Sequence, residues 1–150
     1  MKWNKIYRGG VHRTTPETRE VKPVVAGTVQ PGQLATLTAA GEMAFGVGGA
    51  AFFYIIGEPM YGSVDDILSG ANADTVRMYS PRSGDLYAAR CVAGVVLNDD
   101  APLTITTGGL LKAAGVDDVA HCYVDNPASA HPRTLPATTT ASQLVPVKIK

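Results

Sequence analysis

Short apolar runs alternate with glycine-led turns along this chain, and no stretch holds a 3.6-residue apolar period for long. One unit recurs: a glycine, a polar residue, then an apolar residue at the head of a β-rich run. It stands at Gly32-Gln33-Leu34, at Gly41-Glu42-Met43 and at Gly84-Asp85-Leu86. Glycine supplies the positive φ that a tight turn needs, and the apolar residue begins a strand that packs inward. The pattern predicts a folded-over β-barrel or sandwich, with function on surfaces rather than in a buried cleft.

The expected elements follow from this punctuation. Residues 24–29 read as a first strand, ended by the turn Gln30-Pro31-Gly32. Residues 34–38 and 43–47 read as a hairpin joined by Ala39-Ala40-Gly41-Glu42. Residues 50–57 form a continuous apolar run rich in aromatic and β-branched types, which predicts a strand buried on both faces. Ser63 followed by Asp65 and Asp66 predicts a helix of one or two turns, ended by Gly70. Strands are expected over 75–79 and 86–97, around a turn at 80–85. Further strands are expected over 103–107, 110–113, 119–124 and 143–149. Residues 125–142 hold Pro127, Pro132 and Pro136 and read as a long loop. The fold class is therefore mainly β: a small barrel or sandwich with at most one short helix.

Residues 1–23 lack either period and are broken by Gly9-Gly10, Pro16 and Pro23. They read as an extended N-terminal arm on a body spanning 24–150. The chain has 150 residues, enough for one domain with a sizeable core. Its formal charge is zero, but unevenly spread. Residues 1–25 carry six basic side chains (Lys2, Lys5, Arg8, Arg13, Arg19, Lys22) against Glu17 and Glu20, a net of +4. The other 125 residues then carry seven basic against eleven acidic groups, a net of −4. The chain is thus a basic arm on an acidic body, while its zero net charge and few charged residues argue against nucleic-acid binding through bulk charge. The most apolar stretch, residues 50–56, is far short of the ~20 residues that span a bilayer. No apolar leader follows Lys2, so a soluble protein made in the cytoplasm is expected.

Chemistry-bearing clusters are sparse. His12, His121 and His131 stand at no metal-ligand spacing with one another or with a cysteine pair. Cys91 and Cys122 form neither a metal motif nor a redox pair and read as small buried hydrophobes. Asp65-Asp66, Asp99-Asp100 and Asp117-Asp118 each sit beside a turn signal, so turn and cap chemistry is their reading. Gly46-Val47-Gly48-Gly49 precedes a strand and lacks the lysine of a phosphate-cradling loop. No catalytic residue, metal or cofactor is expected.

Two resemblances bear on function. Pro81-Arg82-Ser83-Gly84 resembles a segment of trimeric dUTP pyrophosphatases in which arginine and serine contact nucleotide phosphates. The family's water-activating aspartate segment and its glycine-rich C-terminal motif have no counterpart here, and Asp85 would repel a phosphate. That nucleotide-hydrolase reading is the alternative, together with a generic virion or tail-fibre interaction module.

The body resembles the capsid decoration, or cement, proteins of tailed bacteriophages. The resemblance covers residues 24–150 and is carried by the run from Val25 to Leu34, the Gly41–Gly46 turn-strand, the Ser83–Leu86 turn and the terminal strand from Leu144 to Lys150. It implies a small β-barrel with an extended arm, a homotrimer or a dimer, and the major capsid protein as partner. It implies a location on the outer capsid surface and no enzymatic activity. In the arm, Trp3, Ile6, Tyr7, Arg8, Arg13 and Arg19 are the expected capsid or neighbour contacts, because aromatic and arginine anchors dominate interface energies. An arm of this kind can also add a strand to a neighbour's sheet edge.

Overall fold

The computed structural model describes residues 6–10, 16–23, 28–46, 52–58, 75–126 and 138–150. Among these the regular structure is entirely β. Eleven strands follow in order: β1 (Tyr7–Gly9), β2 (Glu17–Val21), β3 (Leu34–Leu37), β4 (Met43–Phe45), β5 (Tyr54–Ile56), β6 (Val76–Ser80), β7 (Leu86–Cys91), β8 (Pro102–Ile105), β9 (Leu111–Ala113), β10 (Cys122–Val124) and β11 (Gln143–Ile149). The short helix expected after Ser63 lies outside the described residues, as does most of the 125–142 loop.

The strands form two sheets. In the first, β7, β11, β10, β8 and β9 run in that order, and a parallel contact between Cys91 and Leu111 joins β9 back to β7. This closes a five-stranded barrel. The longest pairing is β7 with β11, antiparallel from Leu86–Lys148 to Cys91–Gln143. The other edge of β7 is shared by three segments. Ala88 N–H donates to the Ile6 carbonyl (2.7 Å), Arg90 N–H to the Gly32 carbonyl (2.8 Å) and Val92 N–H to the Leu111 carbonyl (2.8 Å). One strand edge thus receives the segment around Ile6, the turn before β3, and the strand that closes the barrel.

The second sheet has the order β2-β6-β5-β3-β4. It curls until its ends meet, where Met43 N–H donates to the Lys22 carbonyl (2.9 Å) and Pro23 bridges Met43. Strand periodicity sends alternate side chains to opposite faces. Ala35, Ile56, Val76 and Met78 fill the concave side with Val29 and Met43. Leu34, Ile55 and Tyr79, their neighbours in sequence, face the other way and join the barrel's core. The curled sheet is therefore buried on both sides at its centre, and the two sheets share one large apolar cluster.

The three recurring turn glycines do what the pattern predicts: φ is +88° at Gly32, +78° at Gly41 and +85° at Gly84. The β3–β4 hairpin forms as expected, with Gly41 N–H and the Glu42 carbonyl bonded to the Thr38 backbone. Other expectations need correction. Among the described residues of the run, 52–57, only Ile55 and Ile56 are fully buried strand residues, and Phe52 is 83% exposed. The strand expected over 86–97 stops at Cys91, because the chain turns at Gly94 (φ +82°). Thr139 fixes that turn: its Oγ1 accepts the Val95 N–H (2.9 Å) and donates to the Val92 carbonyl (2.5 Å). The strand expected over 119–124 begins only at Cys122, because residues 115–118 turn through a hydrogen bond from Gly115 N–H to the Asp118 carboxylate (2.9 Å).

Arg90 shows how the junction is held. It is buried on β7, and its guanidinium donates to the Pro31 and Ser142 carbonyls, both at 2.7 Å. A buried cation is tolerable only when its donors are met, and carbonyls at the sheet junction meet them. Both cysteines are unbridged, buried thiols of the barrel core. Burial pushes the Cys91 thiol up to about 12, and burial followed by the neighbouring Cys91 pushes Cys122 higher.

Candidate interaction surface

The segment expected as an arm supplies two strands, one to each sheet. Ile6, at the threshold of β1, is fully buried in the barrel's cluster. Its N–H donates to Glu58 Oε2 (3.2 Å), while its carbonyl is taken by Ala88. Tyr7 follows into a cluster of three phenol rings, with centroids 5.2 Å from Tyr87 and 6.4 Å from Tyr79. Burial, then the Glu58 charge and hydrogen bond, push the Tyr79 hydroxyl up to about 12. Arg8 pairs with Asp125 at 3.4 Å, with both side chains mostly buried. Gly10 passes so close to Asp85 that a Cβ there would collide with the carboxylate oxygen.

Strand β2 is different. Its first four residues are exposed, and it lies at the sheet edge against β6. Its charges are matched locally: Glu17 with Arg82 (3.3 Å) and Glu20 with Arg77 (3.8 Å). The Arg19 guanidinium sits 5.8 Å above the Tyr54 ring, a cation–π distance. Of the six expected contact residues, Ile6, Tyr7 and Arg8 come together on the protein's own barrel. Arg19 stands apart on the second sheet, and Trp3 and Arg13 lie outside the described residues.

Pro81-Arg82-Ser83-Gly84 is the turn between β6 and β7. Arg82 N–H donates to Asp85 Oδ2 (3.1 Å), Asp85 N–H returns to the Arg82 carbonyl (3.0 Å), and Gly84 N–H donates to the Ile149 carbonyl (3.0 Å). Asp85 is buried under the turn that it caps. The acidic pairs within the described residues are also bound into turns. Asp99 accepts the Asn126 N–H (2.9 Å), and Asp100, at φ +57°, pairs with Lys148 (3.1 Å). The Gly115 N–H bond, aided by Lys112, holds the Asp118 carboxyl below its usual range.

Two surface features escaped the sequence reading. The first is a groove of about 340 Å³ between the start of β5, the β6–β7 turn and the end of β11. Phe52, Phe53, Arg82, Ser83 and Lys150 line it. The second is the β9–β10 turn, where Val116 is fully exposed and Val119 is 62% exposed, with Asp117 and Asp118 between them. His121, two residues beyond Val119 in the chain, ties the end of the turn to the groove. Its ring meets Phe53 edge-on at 5.7 Å, and its carbonyl accepts the Lys150 N–H (3.2 Å). A continuous apolar run hid the exposed Phe52, and two isolated valines in a turn leave no periodic signal.

Among the described residues no group of three or more His, Cys, Asp or Glu is placed to hold a metal ion. Among the same residues no helix is long and apolar enough to cross a membrane. No protein-family model matches the chain, and no curated protein matches it at a significant level.

Proposed function

We propose that this protein is a structural virion protein that binds the outer surface of a phage capsid and stabilises the shell by bridging capsid subunits. It acts without a cofactor, as a homotrimer or a dimer, with the major capsid protein as its partner. The observation that carries this reading is the course of the N-terminal segment. It is stitched to the edge of β7 by β1 and to the edge of β6 by β2, and β2 leaves four successive side chains on the surface. An edge strand of this kind offers main-chain groups and charged side chains to a neighbouring subunit. A contact repeated over a closed shell gains by avidity, so each copy can bind weakly.

The test is co-sedimentation with shells, with heat resistance of the shells as a second readout. Because Ile6 belongs to the core, deleting the arm would damage the body, and surface substitutions are the right probe. Arg19→Glu reverses an exposed charge on β2. It is expected to weaken attachment by roughly tenfold, as loss of one anchoring contact does. Wild-type protein that stays in the supernatant, with shells no more heat-resistant, overturns the reading.

A further inference from the structure

The turn Gly115–Val119 and the groove beside it are opposite in character. The turn projects two exposed valines and an acidic pair from the end of the barrel. The groove offers two phenylalanines with Arg82 and Lys150 at its rim. Exposed valines and an exposed phenylalanine leave apolar surface in water, which association removes. Of the two acids, Asp118 is bound to Gly115 and Lys112, while Asp117 stands exposed at the tip. Arg82 forms a surface pair with Glu17, of a kind worth little, so it can exchange that partner for another at low cost. Acid and apolar meet base and aromatic within one patch.

We infer that this patch binds a second copy of the chain about a twofold axis, the acidic valine turn of each copy entering the aromatic, basic groove of the other. Adjacency decides the symmetry. Val119 stands two residues before His121, whose ring meets Phe53 in the groove wall, so turn and groove are neighbours, and an isologous contact satisfies both at once. A ring would need them on separate faces. The pairing selects the dimer from the two assemblies expected, and it stands whether or not the protein binds capsids. Phe52 and the two valines supply buried area, and Asp117 against Lys150 fixes orientation.

The test is sedimentation velocity on the full chain across a range of concentration, with charge reversals. Asp117→Lys alone and Lys150→Glu alone are each expected to weaken self-association by at least about tenfold, because each lost contact occurs twice across the axis. Mixed together, the two variants should dimerise again. At one of the two contacts the introduced lysine then faces the introduced glutamate, and at the other the native Asp117 and Lys150 face each other. A cyclic trimer cannot be rescued in this way, since a ring of three always keeps one like-with-like contact. Both substituted positions are exposed, so folding is not at stake, and a far-UV circular dichroism spectrum that matches wild type checks that. A monomeric wild type, a dimer that the single variants leave intact, or variants that fail to rescue each other would each overturn the proposal.

Discussion

Ile6→Ala tests the central structural finding, that the N-terminal segment anchors in the barrel core through Ile6. The side chain is fully buried in the barrel's cluster, and its backbone bonds to Glu58 and Ala88 survive the substitution. The change removes three carbons. At ~0.8 kcal/mol per buried methylene the transfer term is about 2.4 kcal/mol. A residual void adds up to about 1.5 kcal/mol if it stays only partly collapsed. The expected loss is therefore about 2.5–4 kcal/mol, a large share of the ~5–15 kcal/mol that holds a typical domain. Urea denaturation should show the midpoint falling with the slope unchanged, and the thermal transition should drop by roughly 5–15 °C. Ile6→Val should cost only about 1 kcal/mol. Exposed Arg19→Ala should stay within about 0.5 kcal/mol of wild type. If Ile6→Ala were as mild as Arg19→Ala, β1 would not be docked on its own barrel, and the segment would be an arm free to bind elsewhere.

Gly109 sits at φ +73°, and a Cβ there would collide with the Leu34 carbonyl oxygen, whereas Gly41 at φ +78° has open space around it. Gly109→Ala should cost at least about 3 kcal/mol by denaturation, since strain and a backbone clash add, and Gly41→Ala about 1 kcal/mol from strain alone. Burial keeps Cys91 protonated up to about 12, against 9.0 when exposed, and Tyr79 up to about 12, against 10.0. Above pH 9 the unfolded chain therefore releases protons that the folded chain holds, so stability falls as pH rises from 9 toward 12. Thermal melts across that window should show the decline. At about pH 8, below the ordinary thiol range, a thiol reagent should label neither cysteine until urea unfolds the protein.

The glycine-led units show how much of the fold was legible. A positive φ is a demand on one residue, and only glycine meets it cheaply, so Gly32, Gly41 and Gly84 announced their turns from sequence. The β3–β4 hairpin and β11 were readable for the same local reason, a turn signal beside a short apolar run. Strand ends were less legible where a distant residue sets them. β7 stops at Cys91 through a turn that Thr139 staples from 44 positions away, measured from Val95. The candidate surface was the least legible part. Phe52 and Ile55 belong to one apolar run, yet one is exposed and the other buried, because only the packing of two sheets separates them.

The sequence by itself determined the β class and the turn positions, since each depends on local backbone preference. Tertiary structure alone decided the fate of the N-terminal segment. Its basic charge and broken pattern read as an arm, but the edge of β7 had main-chain groups to pair and the barrel had room for one more apolar side chain. Ile6 fills that place, because a core contact from a distant segment leaves no periodic trace in the chain that makes it.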